Sequence, residues 1–231
     1  AVAQASNDFT IENGEVTAYT GAGGSVTIPD GVTSIKTEVF FDKHVTSLTL
    51  PDSLTSIGNK AFDKNKINKI SGGKNLKTIG DAAFRGNQLK TVNLANIETI
   101  GNNSFENNQL ETITLPATLK TVGANAFANN NIAEATIQSS TAKIADNAFT
   151  NNSEWVKVNL PKGAANVKNG TQGNSKIVVN PIKITYKYIG YNEASPDKKY
   201  TIQADQTVGT TPPLYSEGTQ TITPPALNNY P

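Results

Sequence analysis

The chain has 231 residues, a formal net charge of +1, no cysteine and one histidine, His44. That length suits one or two domains with a continuous core, while the charge balance excludes the basic footprint of a nucleic-acid binder. The absent cysteines exclude disulfides and thiolate sites, and no apolar run approaches the roughly 20 residues of a membrane helix, so no membrane insertion is expected.

From the N-terminus, Ala1-Val2-Ala3-Gln4-Ala5 is spaced like the end of a cleaved signal peptide, or is a chance run of small residues. The absence of methionine points to a processed product. Phe9 to Tyr19 reads as a strand pair turning at Asn13-Gly14, which makes residues 1–24 an N-terminal cap. Gly21-Ala22-Gly23-Gly24 joins two expected strands and reads as a loop, not a phosphate cradle.

The next segment is periodic. Phe40, Phe62, Phe84, Phe105, Phe127 and Phe149 are separated by 22, 22, 21, 22 and 22 residues. Five residues before each stands Ile35, Ile57, Ile79, Ile100, Val122 or Ile144. Five residues after the first five come Val45, Ile67, Leu89, Leu110 and Ile132, followed at alternate positions by Leu48/Leu50, Ile70/Gly72, Val92/Leu94, Ile113/Leu115 and Ala135/Ile137. The sixth repeat slips by one residue and reads Trp155, Val158, Leu160. Trp155 thus replaces an aliphatic and reads as core or end-capping packing, with a sugar-stacking platform as the alternative. Each unit reads as a short helical or 3₁₀ turn followed by a half-buried strand. Ala61, Ala83, Ser104, Ala126 and Ala148 precede the Phe positions, where a large side chain would push neighbouring coils apart. One unit cannot bury its own apolar face, so the units must stack, each Phe against the next. Three residues after Phe come Asn65, Asn87, Asn108, Asn130 and Asn152, suited either to a left-handed turn conformation or to bonding the backbone of the next coil.

Beyond the repeats, Lys162 to Asn180 is rich in Gly, Asn, Lys and Ser. All eight Phe lie before position 150 and six of seven Tyr after 181, which places a domain boundary near Asn180-Pro181. Ile182, Ile184, Tyr186 and Tyr188 alternate with Lys183, Thr185 and Lys187 as a strand with one wet face.

The unit I-G-x-x-A-F-x-x-N-x-L-x-x-I-x-L-P-x-x-L, clearest at Ile100 to Leu119, resembles the BspA-type leucine-rich repeat of bacterial surface proteins. The resemblance implies an α+β repeat: a right-handed solenoid over residues 25–180, with parallel strands on a concave side, short helical turns, and a role in adhesion or host contact. Gly72-Gly73 and Ala95-Asn96 depart from the L-P element and predict kinked or altered turns in repeats three and four. Residues 181–231 resemble the start of a mucin-binding (MucBP-like) module, through Ile182 to Tyr188 and Thr219 to Tyr230 with Pro224-Pro225, which implies a small all-β or ubiquitin-like module.

No nucleophile elbow, Walker loop, EF-hand or two-histidine metal motif is present, so no catalytic, cofactor or metal residues are expected. His44 reads as a solvated loop residue. The candidate binding face is the outward side of the strands: Ser47, Thr49, Lys69, Ser71, Thr91, Asn93, Thr112, Thr114, Glu134, Thr136, Lys157 and Asn159. Small hydroxyls also simply suit exposed strands, so this face reads either as plain surface or as a site for a polar ligand bound many times over. The expectation is a monomeric, non-enzymatic adhesion protein of a bacterial, wall-associated surface, presenting this face to a host protein or glycan. The alternative is a structural spacer, or mucin-glycan binding through the C-terminal module only.

Overall fold

The apolar columns of the repeat turn inward together. The structure, a computed structural model, describes residues 6–180, so the expectations for the first five residues and for the C-terminal module lie outside the described residues. Sixteen strands run in chain order, the first eight being β1 (Phe9–Glu12), β2 (Glu15–Tyr19), β3 (Gly24–Thr27), β4 (Ser34–Ile35), β5 (Val45–Leu50), β6 (Ser56–Ile57), β7 (Lys69–Gly72) and β8 (Thr78–Ile79). They continue as β9 (Thr99–Ile100), β10 (Thr112–Leu115), β11 (Thr121–Val122), β12 (Glu134–Ile137), β13 (Lys143–Ile144), β14 (Trp155–Asn159), β15 (Gly170–Gln172) and β16 (Ser175–Val179). Strands one repeat apart pair in parallel, as Thr112, Glu134 and Lys157 do across β10, β12 and β14. The result is a parallel β-solenoid of about eight turns.

Two walls of each turn are strands. The two-residue strands β4, β6, β8, β9, β11 and β13 follow β1 and β2 into one eight-stranded sheet, while the longer strands form a three-stranded sheet (β3-β5-β7) and a five-stranded one (β10-β12-β14-β16-β15). The split falls at Thr91-Val92-Asn93-Leu94, which joins neither sheet. The cause is in the sequence. The Ala95-Asn96 connection is one residue shorter than its counterparts, and an altered turn was expected there.

The third wall corrects the expectation of helical turns. Among the described residues the sole helical element is a 3₁₀ turn at Ser6–Asp8, so the fold is a β-solenoid and not an α+β repeat. Around each of the first five stacked Phe the chain turns through left-handed residues two positions before and after, for example Lys60 (φ 53°) and Lys64 (φ 59°), or Asn125 and Asn129 (φ 54° each). A right-handed helix cannot contain such residues. The amides instead reach the next coil: Lys60, Phe62 and Lys64 donate to the carbonyls of Asp81, Ala83 and Arg85 at 2.7, 2.8 and 2.9 Å. The turn is therefore a third inter-coil ladder.

Inside, Phe40, Phe62, Phe84, Phe105, Phe127 and Phe149 are fully buried in one column. Consecutive ring centroids lie 4.7 to 5.7 Å apart with interplanar angles of 3° to 12°. Burying each ring contributes roughly 1.5–3 kcal/mol, and stacked aromatic pairs add about 0.5–1.5 kcal/mol beyond area. The small residues before Phe are buried as their size requires. Glycine after the aliphatic has a similar cause: a Cβ on Gly101 would lie 2.6 Å from the amide nitrogen of Asp81 in the preceding coil.

The buried Asn column bonds the backbone of an adjacent coil as expected, but of the preceding coil and not the next. Asn108 Oδ1 accepts the N–H of Leu89 at 3.0 Å, and Nδ2 donates to the carbonyl of Phe84 at 2.9 Å. Asn65, Asn87, Asn130 and Asn152 repeat that geometry on their own preceding coils. Each carboxamide thus joins the end of one Phe turn to the start of the following strand, satisfying polar backbone that the core would otherwise strand. The left-handed residue is the one before it, such as Asn107 at φ 56°.

Hairpins close both ends. β1 and β2 pair antiparallel around Asn13 (φ 50°) and Gly14 (φ 78°), the two positive angles that a type I′ turn needs. They place Phe9 and Tyr19 over Phe40, Tyr19 at 4.6 Å. At the other end β15 pairs antiparallel with β16. There Gln172 Oε1 accepts the N–H of Phe149 at 2.8 Å, and Ser175 Oγ accepts that of Asn152 at 2.7 Å. Side chains stand where a further coil would have supplied backbone.

Candidate binding face

Alternation along the longer strands turns the expected residues outward. Ser47 and Lys69 lie in register across β5 and β7, as do Thr49 and Ser71. Thr112, Glu134 and Lys157 form one row of the five-stranded sheet, and Thr114, Thr136 and Asn159 the next. Thr91 and Asn93 are exposed but sit in the unpaired segment between the sheets. The twelve positions therefore form two clusters with a break, not one uninterrupted face. None of the twelve is buried.

Side-chain bonding concentrates at the C-terminal cluster. Glu134 Oε1 accepts from Asn159 Nδ2 at 2.6 Å and lies 3.1 Å from Lys157 Nζ. Asn159 Nδ2 also reaches Thr136 Oγ1 at 3.3 Å. The Asn159 amide, then Lys157, holds the Glu134 carboxyl below the ordinary glutamate value. In the N-terminal cluster Ser47 Oγ donates to Ser25 Oγ at 2.8 Å.

Trp155 corrects a second expectation. It is not core: 41% of its surface is exposed, and Val156 is buried instead. The stretch from Phe149 to Val158 is one residue longer than its counterparts, and a one-residue shift reverses which side chains face inward. Trp155 consequently shares the outward side of β14 with Lys157 and Asn159. Lys176, its partner in register on β16, sets its ammonium 4.6 Å from the ring centroid. The slip was visible in the sequence, but it is equally compatible with an indole turned inward.

Charge is otherwise distributed between coils. Seven ion pairs among the described residues join side chains 21 to 23 residues apart, including Lys60–Glu38, Lys74–Asp52, Lys157–Glu134 and both lysines on Glu98. The most buried is Arg85–Asp63. Hydrogen bonding to Asp63 raises the Arg85 pKa further above its ordinary value. His44 lies in the open, 3.8 Å from Asp42. A shallow groove of about 700 Å³ crosses the two-residue strands near Thr99, Thr121 and Lys143; Asp81 and Lys143 are the ionisable groups lining it. Among the described residues no group of His, Cys, Asp and Glu could hold a metal ion.

Parallel strands recurring every coil, a buried Asn ladder and outward polar rows define a leucine-rich-repeat solenoid. The family described as BspA type leucine-rich repeat region matches in six copies, over residues 18–129 and 88–194, and the chain belongs to it. The fold is similar to the crystal structure of the T. pallidum leucine-rich repeat protein TpLRR, at 20% identity and TM-score 0.50, covering 68% of this chain and 85% of that one. A leucine-rich repeat protein from Bacteroides ovatus ATCC 8483 is also similar, at 20% identity and TM-score 0.47, covering 69% of this chain and 54% of its own. A search of curated proteins finds no match.

Proposed function

We propose that this chain is a non-enzymatic recognition solenoid of a bacterial cell surface that presents the outward side of its longer strands to a host protein or glycan. The observation that carries the reading is the set of in-register polar rows, Thr112-Glu134-Lys157 and Thr114-Thr136-Asn159. Neighbouring strands repeat about every 4.8 Å, so a repetitive polar partner can meet many weak contacts at once and gain by avidity. Family membership supports the interaction role and the surface location. Among the described residues no helix is long and apolar enough to cross a membrane.

The test is a triple substitution in the full chain, Thr114→Glu, Thr136→Glu and Asn159→Glu, at non-buried positions. Labelled protein is then compared on epithelial cells. A loss of binding with unchanged melting temperature supports the face as the recognition surface. Undiminished binding assigns recognition to residues beyond 180, and no binding by either protein favours a spacer.

A further inference from the structure

Resting on that reading, we propose that the Trp155 end of the five-stranded sheet is a subsite for a neutral glycan. Val45, Ile67, Leu89, Leu110 and Ile132, which stand five residues after Phe in the earlier coils, are all buried. The extra residue in the sixth repeat brings to this place the protein's only tryptophan and leaves it open to water. Lys176 sets its ammonium over one face of the ring, 4.6 Å from the centroid, and lies 3.9 Å from Glu154, so a stacking ligand takes the other face. A tryptophan has only two side-chain torsions and so loses little entropy when a ligand stacks on it.

The surroundings select the ligand class. Lys157 is two residues along the same strand, a spacing of ~7 Å, the scale of one sugar ring. Beside it Glu134 and Asn159 fix one another, presenting a carboxylate and a carboxamide in set positions. That combination suits a pyranose, whose C–H face packs on an aromatic ring while its hydroxyls bond planar polar groups. Charge in the patch is balanced, with Lys157 against Glu134 and Lys176 against Glu154. No cationic excess is left for a sialylated or sulfated chain. A protein partner is disfavoured because interface hot spots cluster aromatics and arginine, whereas the other outward residues of β10, β12 and β14 are Thr112, Thr114 and Thr136. The other large exposed hydrophobics among the described residues, Ile11 and Phe41, belong to the N-terminal coils.

A single tryptophan makes its fluorescence report on this one place. The full chain is titrated with N-acetyllactosamine, chitotriose and cellotetraose as neutral probes, and with 3′-sialyllactose as the anionic arm. A saturable emission change with a neutral probe in the millimolar range is expected. Asn159→Ala should weaken it about tenfold in a protein that still melts cooperatively. Silence with every neutral probe, response to sialyllactose alone, or indifference to Asn159→Ala overturns the subsite. If the indole is silent but the triple substitution abolishes cell binding, the glycan subsite falls and the wider recognition face stands. If the indole responds but cell binding ignores the triple substitution, the wider reading falls instead.

Discussion

Arg85 forks onto Asp63 of the preceding coil, Nε 3.1 Å and Nη2 2.7 Å from the two carboxylate oxygens, and Asp63 is fully buried. Arg85 is the only arginine in the chain. Lysine cannot reproduce a planar two-point bond, and a buried carboxylate without a partner is costly. Arg85→Ala should therefore destabilise by about 3–5 kcal/mol. Arg85→Lys should recover only part of that. Urea denaturation of the full chain measures both, and a loss under ~1 kcal/mol for Arg85→Ala would mean the pair is held weakly, like a surface bridge.

Asn108 is the central test of the polar ladder. Its truncation leaves the buried N–H of Leu89 without its side-chain partner, at about 1–3 kcal/mol when unsatisfied, and the carbonyl of Phe84 with only Asn87 Nδ2 at 3.0 Å. Asn108→Ala should cost at least as much as one such group. Asn108→Asp should be no better, because the isostere keeps the acceptor but loses the donor. Equal stability of the Asp variant and the parent protein in denaturant melts at neutral pH would contradict the ladder.

Phe105 lies 5.5 Å from both Phe84 and Phe127 in the stacked column. Phe105→Ala removes a ring with neighbours on both sides and should cost roughly 3–5 kcal/mol. An unchanged melting temperature would remove the column from the account of stability.

Much of this was written in the sequence because a solenoid repeats its environment every coil. A position that must be Phe, small or Asn in one coil must be so in the next, so Phe62, Ala61 and Asn65 announce themselves by recurrence. The altered connection at Ala95-Asn96 was legible as a lost L-P element, but not the strand break beside it. What stayed hidden were places where recurrence fails. The left-handed positions of the Phe turn hold Glu38, Lys60, Lys64 and Ala82 in the early coils, types that give no sign of positive φ, so the turn read as helical. Asp63 and Arg85 share a column with Phe41 and Glu106, and no common residue type marks it as partly buried. Trp155 sits where an inserted residue reverses the strand faces, and the sequence alone does not say which residue takes up the shift.

The unpaired segment sets a dynamic prediction. Gln88 donates to the carbonyl of Ile67 and Gln109 to that of Leu89, both at 2.9 Å, but Thr91, Val92 and Asn93 between them join neither sheet. Their amides should exchange with deuterium much faster than those of Ala135 and Thr136 in β12, which is paired on both sides. Equal protection across the two segments would show that the longer strands behave as one sheet.

Acid should reveal two carboxylates that differ in the source of their stabilisation. Glu98 is lowered by hydrogen bonding and charge from Lys120, with a smaller share from Lys77, whereas Glu134 is lowered first by the neutral Asn159 amide and then by Lys157. A carboxyl whose folded pKa lies below its unfolded value contributes stability above the unfolded value, near 4.5. That contribution is lost as the pH falls through the folded one, because the unfolded chain then binds the proton first. Melting temperature should thus fall less steeply below pH ~5 in Glu134→Gln than in the parent protein. Salt separates the pair: about 1 M salt shortens the screening length to roughly 3 Å, which weakens the exposed lysines on Glu98 but leaves the amide bond to Glu134 in place. The acid dependence removed by Glu98→Gln should therefore shrink in high salt more than that removed by Glu134→Gln. Parallel melting curves for all three proteins at both salt concentrations would contradict the assignment.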